Sequence, residues 1–132
     1  PIPKYNNINI ILDGGAFNGS YHHGVLLYHQ QLEKKHYLTI NKISGTSIGS
    51  LIGFLYIIDK LNLGIDGFKI MRDGFKNTGT FCGAGIWLEN LLKTLPEYTY
   101  KLCNGRLFIT YYDLIKCKQR VISKYKNNRT EK

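Results

Sequence analysis

Residues 7–13, Asn-Ile-Asn-Ile-Ile-Leu-Asp, are β-branched and almost continuously apolar. That is the pattern of a strand buried on both faces, and it predicts a central parallel strand. After a glycine-rich run, Tyr21, Val25, Tyr28 and Leu32 recur at spacings of four, three and four, which predicts one apolar stripe on a helix from about Ser20 to Lys35. Residues 37–43 alternate and then turn apolar, as a second strand does, and residues 47–61 have the length and apolar density of a buried helix. Strand, turn and helix thus occur twice in succession, the order of a parallel sheet covered by helices. The fold class is α/β, a parallel-core sheet with flanking helices.

Beyond Leu61, glycines at 64, 67, 74, 79, 83 and 85 predict short, broken pieces. Ile86, Leu88, Leu91, Leu92 and Leu95 restore a helical stripe over 86–95, and Pro96 ends it. Residues 106–114 and 119–125 read as two strands joined by a short polar turn. With no repeat, low-complexity run or interior linker, residues 1–132 form one domain.

Composition narrows the class without naming a function. At 132 residues, 43% hydrophobic and 20% charged, the chain is an ordinary globular domain that can bury a core. Its longest apolar stretch, Leu51 to Ile58, is far short of the roughly 20 residues that a spanning helix needs, and the N-terminus has no signal-peptide pattern. Cys82, Cys103 and Cys117 form no CxxC pair. The expectation is reduced thiols in an intracellular protein, cytoplasmic or peripheral to membranes, with no metal site.

The formal charge is +9, and in residues 116–132 seven cations, Lys116, Lys118, Arg120, Lys124, Lys126, Arg129 and Lys132, face Glu131 alone. Such a basic tail reads as a solvated terminal segment, or as a patch for peripheral contact with anionic lipid headgroups. Nucleic acid is not expected as a partner, because charge comes here without any base-reading motif.

Two glycine-rich turns carry the chemistry. Gly45, Thr46, Ser47, Ile48 and Gly49 spell GxSxG between a strand and a helix, where a serine nucleophile is held in a strained turn and its neighbours must lack bulk. The helix that follows directs its free N–H groups at the turn, and the Ile48 N–H is the expected first donor to a developing oxyanion. The alternative is that Ser47 only caps the helix while Gly45 and Gly49 serve close packing. In the first turn, Gly14, Gly15, Ala16, Phe17, Asn18 and Gly19 give GxxxxG, but Ser20 and Tyr21 stand where a phosphate loop has its lysine and hydroxyl. A dinucleotide fingerprint needs glycine where Ala16 stands. No nucleotide or other cofactor is therefore expected, and the loop reads instead as the remaining oxyanion donors for Ser47.

Together, "LDGGAFNGSYHHGVL" and "ISGTSIGSLIG", continued by "GTFCGAGIWLENLLKTL" and "GRLFITYYDL", resemble the patatin-like phospholipases over nearly the whole chain. The resemblance implies a serine-aspartate dyad acting on acyl esters of phospholipids and other lipids. It makes Ser47 the nucleophile and places Gly14, Gly15 and Ala16 in the oxyanion loop, with Gly19 opening the next helix. Two positions depart from the family's GGGx[KR]G loop: Ala16 replaces its third glycine and Asn18 its cation. The methyl of Ala16 is acceptable only where the backbone does not need positive φ.

The resemblance also implies an aspartate in a DG[GA] motif beyond the strands at 106–125, and the chain stops first. We expect an N-terminal portion of a longer domain, lacking the second dyad residue. Asp13 precedes the serine within the loop itself, while Asp66-Gly67 and Asp73-Gly74 follow too soon and read as surface turns. His22 and His23 sit in the first turns of the helix after the loop; as bases they would have to reach within about 3 Å of the serine oxygen, and helix-face or capping roles are the alternative. A fragment without that partner has a second reading, a membrane-surface binding module without turnover.

Overall fold

A computed structural model describes residues 7–127. Four strands form one sheet in the order β1 (Ile8–Leu12), β2 (Ile40–Thr46), β3 (Leu107–Asp113), β4 (Lys118–Ile122). The first three are parallel and β4 returns antiparallel. Five helices accompany them: α1 (Gly19–Lys34), α2 (Ile48–Ile57), α3 (Gly64–Thr78), α4 (Cys82–Thr94) and α5 (Thr99–Cys103).

The register sorts the sheet into rows. Ile10, Ile43 and Leu107 are cross-strand neighbours, as are Ile11, Ser44 and Phe108. The first row faces the helices, with Ile43 and Leu107 at 0% and 2% exposure; on the opposite face Ile11 is 82% exposed and the Lys42 ammonium lies over the Phe108 ring. Among the described residues β1 pairs with β2 alone, so it is an edge strand rather than the expected central one. Its apolar run is buried on one side only.

α2 is the centre of the core. Of its ten residues eight are buried, and only Leu51 and Phe54 remain partly open. Such an all-round apolar helix is stable only when enclosed, and α2 is packed against β1, β2, β3 and α1.

On α1 the buried positions are Gly19, His23 and Leu26, whereas Tyr21 and Tyr28 of the expected stripe are 73% and 64% exposed. Tyrosine tolerates the surface because its hydroxyl is wet. His23 tolerates the core because its Nε2–H donates to the Leu61 carbonyl at 2.6 Å. The glycines after Leu61 do not break the chain as expected. Asp66-Gly67 and Asp73-Gly74 lie inside α3, not in turns, and both carboxylates pair locally, Asp66 with Lys69 and Asp73 with Arg72. Part of the basic segment is the hairpin strand β4, where Arg120 pairs with Asp113 at 2.9 Å; Arg129 and Lys132 lie outside the described residues. No helix among the described residues is long and apolar enough to cross a membrane.

Candidate active site

β2 ends at Thr46, α2 begins at Ile48, and Ser47 stands exposed between them with φ 51° and ψ −124°. A non-glycine residue in that region carries strain of about 1–3 kcal/mol and persists only where the surroundings enforce it. They do so through the two flanking glycines. A Cβ on Gly45 would lie 2.5 Å from the Ser50 nitrogen, and one on Gly49 would lie 2.5 Å from the Leu12 carbonyl oxygen and 2.6 Å from that of Asp13. Gly45 lets α2 fold back over its own strand, and Gly49 lets the same helix start against the end of β1.

The loop after β1 meets this elbow. A Cβ on Gly14 would lie 3.4 Å from the Ser47 Cβ, ordinary van der Waals contact. Gly19, at the start of α1, has no room for a side chain because Ile48 fills the space. The structure therefore brings Gly14, Gly19, Ser47, Ile48 and Gly49 to one place at the C-terminal ends of two neighbouring parallel strands. Like the first N–H groups of any helix, that of Ile48 has no acceptor within its own helix, and it begins one residue from the serine.

Between these anchors the loop turns through Gly15 at φ 115° and Ala16 at φ 39°, closed by the Asn18 N–H donating to the Gly15 carbonyl at 2.8 Å. The condition for a methyl at position 16 is thus not met: the backbone is left-handed there, which costs a non-glycine residue about 1–2 kcal/mol. Asn18, where a cation is usual, folds its amide over Gly15.

Both histidines in the first turns of α1 are engaged: the His22 Nε2–H donates to the Asp13 carbonyl at 3.2 Å, tying α1 to the loop, and His23 is spent on Leu61. Farther along α1, away from the loop, His29 donates to Val25, and Glu33 accepts from the Ile40 N–H at 2.5 Å and from the Tyr56 hydroxyl. Among the described residues no group of three or more His, Cys, Asp or Glu side chains could hold a metal.

From Ser47 a groove of about 270 Å³ runs between α2, α4, α5 and β3. Leu51 and Phe54 line it from α2, Leu88 and Leu92 from α4, and Leu107 and Ile109 from β3. Two of its polar groups are muted: burial pushes the Cys103 thiol up to about 11 and the Tyr125 phenol up to about 12. The Tyr125 hydroxyl donates to the Leu107 carbonyl at 3.0 Å. Cys103 is therefore a wall and no nucleophile. Sequence periodicity places Leu51 and Phe54 in a buried helix and Leu88 and Leu92 on an apolar helical stripe, and misses the groove. The available signal was a stripe of apolar positions at i, i+4 and i+7 from the serine, on a helix otherwise apolar all round.

A family model described as patatin-like phospholipase matches residues 10–132. No curated protein and no solved structure matches the chain. The match takes in the loop, the elbow and the sheet that brings them into contact, and the chain belongs to the patatin-like phospholipases, a family of lipid acyl hydrolases.

Proposed function

We propose that this chain supplies the nucleophile, the oxyanion donors and the acyl groove of a lipid ester hydrolase. The observation that carries the reading is the contact between the Gly14 loop and the strained Ser47 elbow, which gathers a hydroxyl and two glycine-rich backbones around one point. The Ser47 oxygen attacks the ester carbonyl carbon and the carbonyl π pair moves onto oxygen. The N–H of Ile48 and those of the Gly14–Ala16 loop hold that oxyanion, each donor contributing about a hundredfold or more in rate. Collapse expels the alkoxide, which takes up the serine's proton through the base, and water then cleaves the acyl-serine. The base is the aspartate that the family pairs with its serine.

The groove supports a lipid substrate, because it offers an acyl chain an almost wholly apolar wall beginning at the reacting serine. The test is covalent labelling of the full-length protein with a fluorophosphonate. Labelling should vanish in Ser47→Ala with the fold retained; labelling that survives this change overturns the assignment.

A further inference from the structure

The loop between β1 and α1 is held by aromatic rings from a distant part of the chain. Its crest is the single turn Ala16–Asn18, and there the Phe17 ring stands edge-on to two others, Phe75 at 5.9 Å between centroids and Phe81 at 5.8 Å. Phe75 and Phe81 stack on each other at 4.9 Å with 19° between their planes. Phe75 lies in the last turn of α3 and Phe81 immediately before α4, so the three rings join the crest of the loop to the corner between those helices.

α3 meets the loop a second time. Phe68 stands seven residues before Phe75, on the same face of the helix. It crowds Gly19, where a Cβ would lie 2.9 Å from its ring. One face of α3 thus reaches both the crest of the loop and its exit into α1. The corner is itself constrained: Gly79 ends α3 in the left-handed conformation at φ 68°, and the Thr78 and Thr80 hydroxyls are hydrogen-bonded at 2.8 Å.

Such a hold is what the loop requires. Ala16 sits at φ 39°, a conformation that a non-glycine residue keeps only where its surroundings enforce it. The bond from the Asn18 N–H to Gly15 closes the turn from inside, and the rings fix where the closed turn sits. The two edge contacts on Phe17 are together of the size that offsets one left-handed alanine.

We propose that Phe75 and Phe81 are positioning residues for the hydrolase: acting through Phe17, they hold the Gly14–Ala16 amides in place beside Ser47. The inference rests on the reading of that loop as the oxyanion donors, and adds the part of the fold that sets its geometry. None of the three rings lines the groove at Ser47, so their effect on the chemistry has to pass through the loop.

The experiment measures fluorophosphonate labelling of the full-length protein, both as a rate and as an end point. It also follows hydrogen exchange of the Asn18 and Gly19 amides, whose bonds to the Gly15 and Ala16 carbonyls report closure of the loop without any chemistry at Ser47. Phe17, Phe75 and Phe81 are 44%, 42% and 42% exposed, so truncating them leaves the core intact. Phe75→Ala combined with Phe81→Ala should label about tenfold more slowly, to the same end point, and exchange those amides about tenfold faster. Phe17→Ala should do the same, and all three changes together should do no more, because each acts through one ring. Phe75→Tyr keeps the ring and should behave as the unaltered protein.

An unchanged rate and exchange in the double variant, a lower end point at an unchanged rate, or effects of Phe17 and of the pair that add would each overturn the proposal. Ser47-dependent labelling would still support the hydrolase in all three cases. Labelling that is absent, or indifferent to Ser47→Ala, overturns the hydrolase reading, and amide exchange then decides by itself whether the rings hold the loop.

Discussion

Gly14 and Ser47 touch across the ends of two parallel strands, a Cβ built on the glycine falling 3.4 Å from that of the serine. A methyl at position 14 would just meet the serine's own side chain, and a branched residue would press on it. Gly14→Val should cut fluorophosphonate labelling by at least tenfold, measured as a second-order rate, in a protein that still unfolds cooperatively.

Ser47 stores strain that function requires and stability does not. With φ 51° and ψ −124°, its backbone suits glycine alone, so Ser47→Gly should raise stability by about 1 kcal/mol while Ser47→Ala does not. Urea unfolding of the three proteins decides this. A Ser47→Gly variant no more stable than Ser47→Ala would show that the elbow is relaxed.

Ala16 provides a second test of the same kind. Its φ of 39° costs about 1–2 kcal/mol with a Cβ present, and a glycine there adds about 0.5–1 kcal/mol of unfolded-chain entropy. The strain is the larger amount, so Ala16→Gly should stabilise the protein by about 0.5–1 kcal/mol. A lower urea midpoint would reverse that conclusion.

Gly49→Ala should be damaging, because its methyl would meet the backbone carbonyls of Leu12 and Asp13 at 2.5 and 2.6 Å. Neither is a flexible side chain that can swing aside. A loss of about 1–3 kcal/mol is expected, the usual cost of overpacking, and a loss under 0.5 kcal/mol would mean that α2 can slide off β1.

Cys103 and Tyr125 make stability fall in alkali. Burial raises them to about 11 and about 12 from ordinary values of 9.0 and 10.0, so both stay neutral in the folded protein where the unfolded chain ionises. The unfolded state thus binds fewer protons above pH 9, and the contribution of these two groups to stability, fully present at lower pH, declines from 9 toward 12. Urea midpoints at pH 8 and 10.5 should show the decline, with a smaller one in Cys103→Ala. At pH 8 a thiol reagent should modify the exposed Cys82 and Cys117 quickly and reach Cys103 only on unfolding.

How much of this was legible in the sequence depended on what each residue's neighbours are. α2 followed from its apolar density, which reports burial directly, and the hairpin of β3 and β4 from two apolar runs around a polar turn, although β4 itself is largely exposed. β2 begins three residues later than the pattern suggests and runs on to Thr46, since Ser44 and Gly45, weak strand formers, pair with β3 together with Thr46. α3 was hidden by its glycines, which serve packing: a Cβ on Gly64 would press on His23 and one on Gly67 on Trp87, contacts between segments far apart in the chain.

For the site, the spacing around Ser47 and the loop at Gly14 were readable because each motif is local. The positive φ at Ala16 and the groove along Leu51 and Phe54 were not. One is a backbone angle set by how the loop closes, and the other is the space left where four elements fail to meet.

The strained elbow also makes the serine a reporter. Its backbone angles exist only while β2 and α2 are docked on β1, so in a denatured chain residue 47 is an ordinary, unreactive alcohol. The fraction of molecules that take up a covalent probe would then count the folded population one molecule at a time, in a cell extract as readily as in a cuvette.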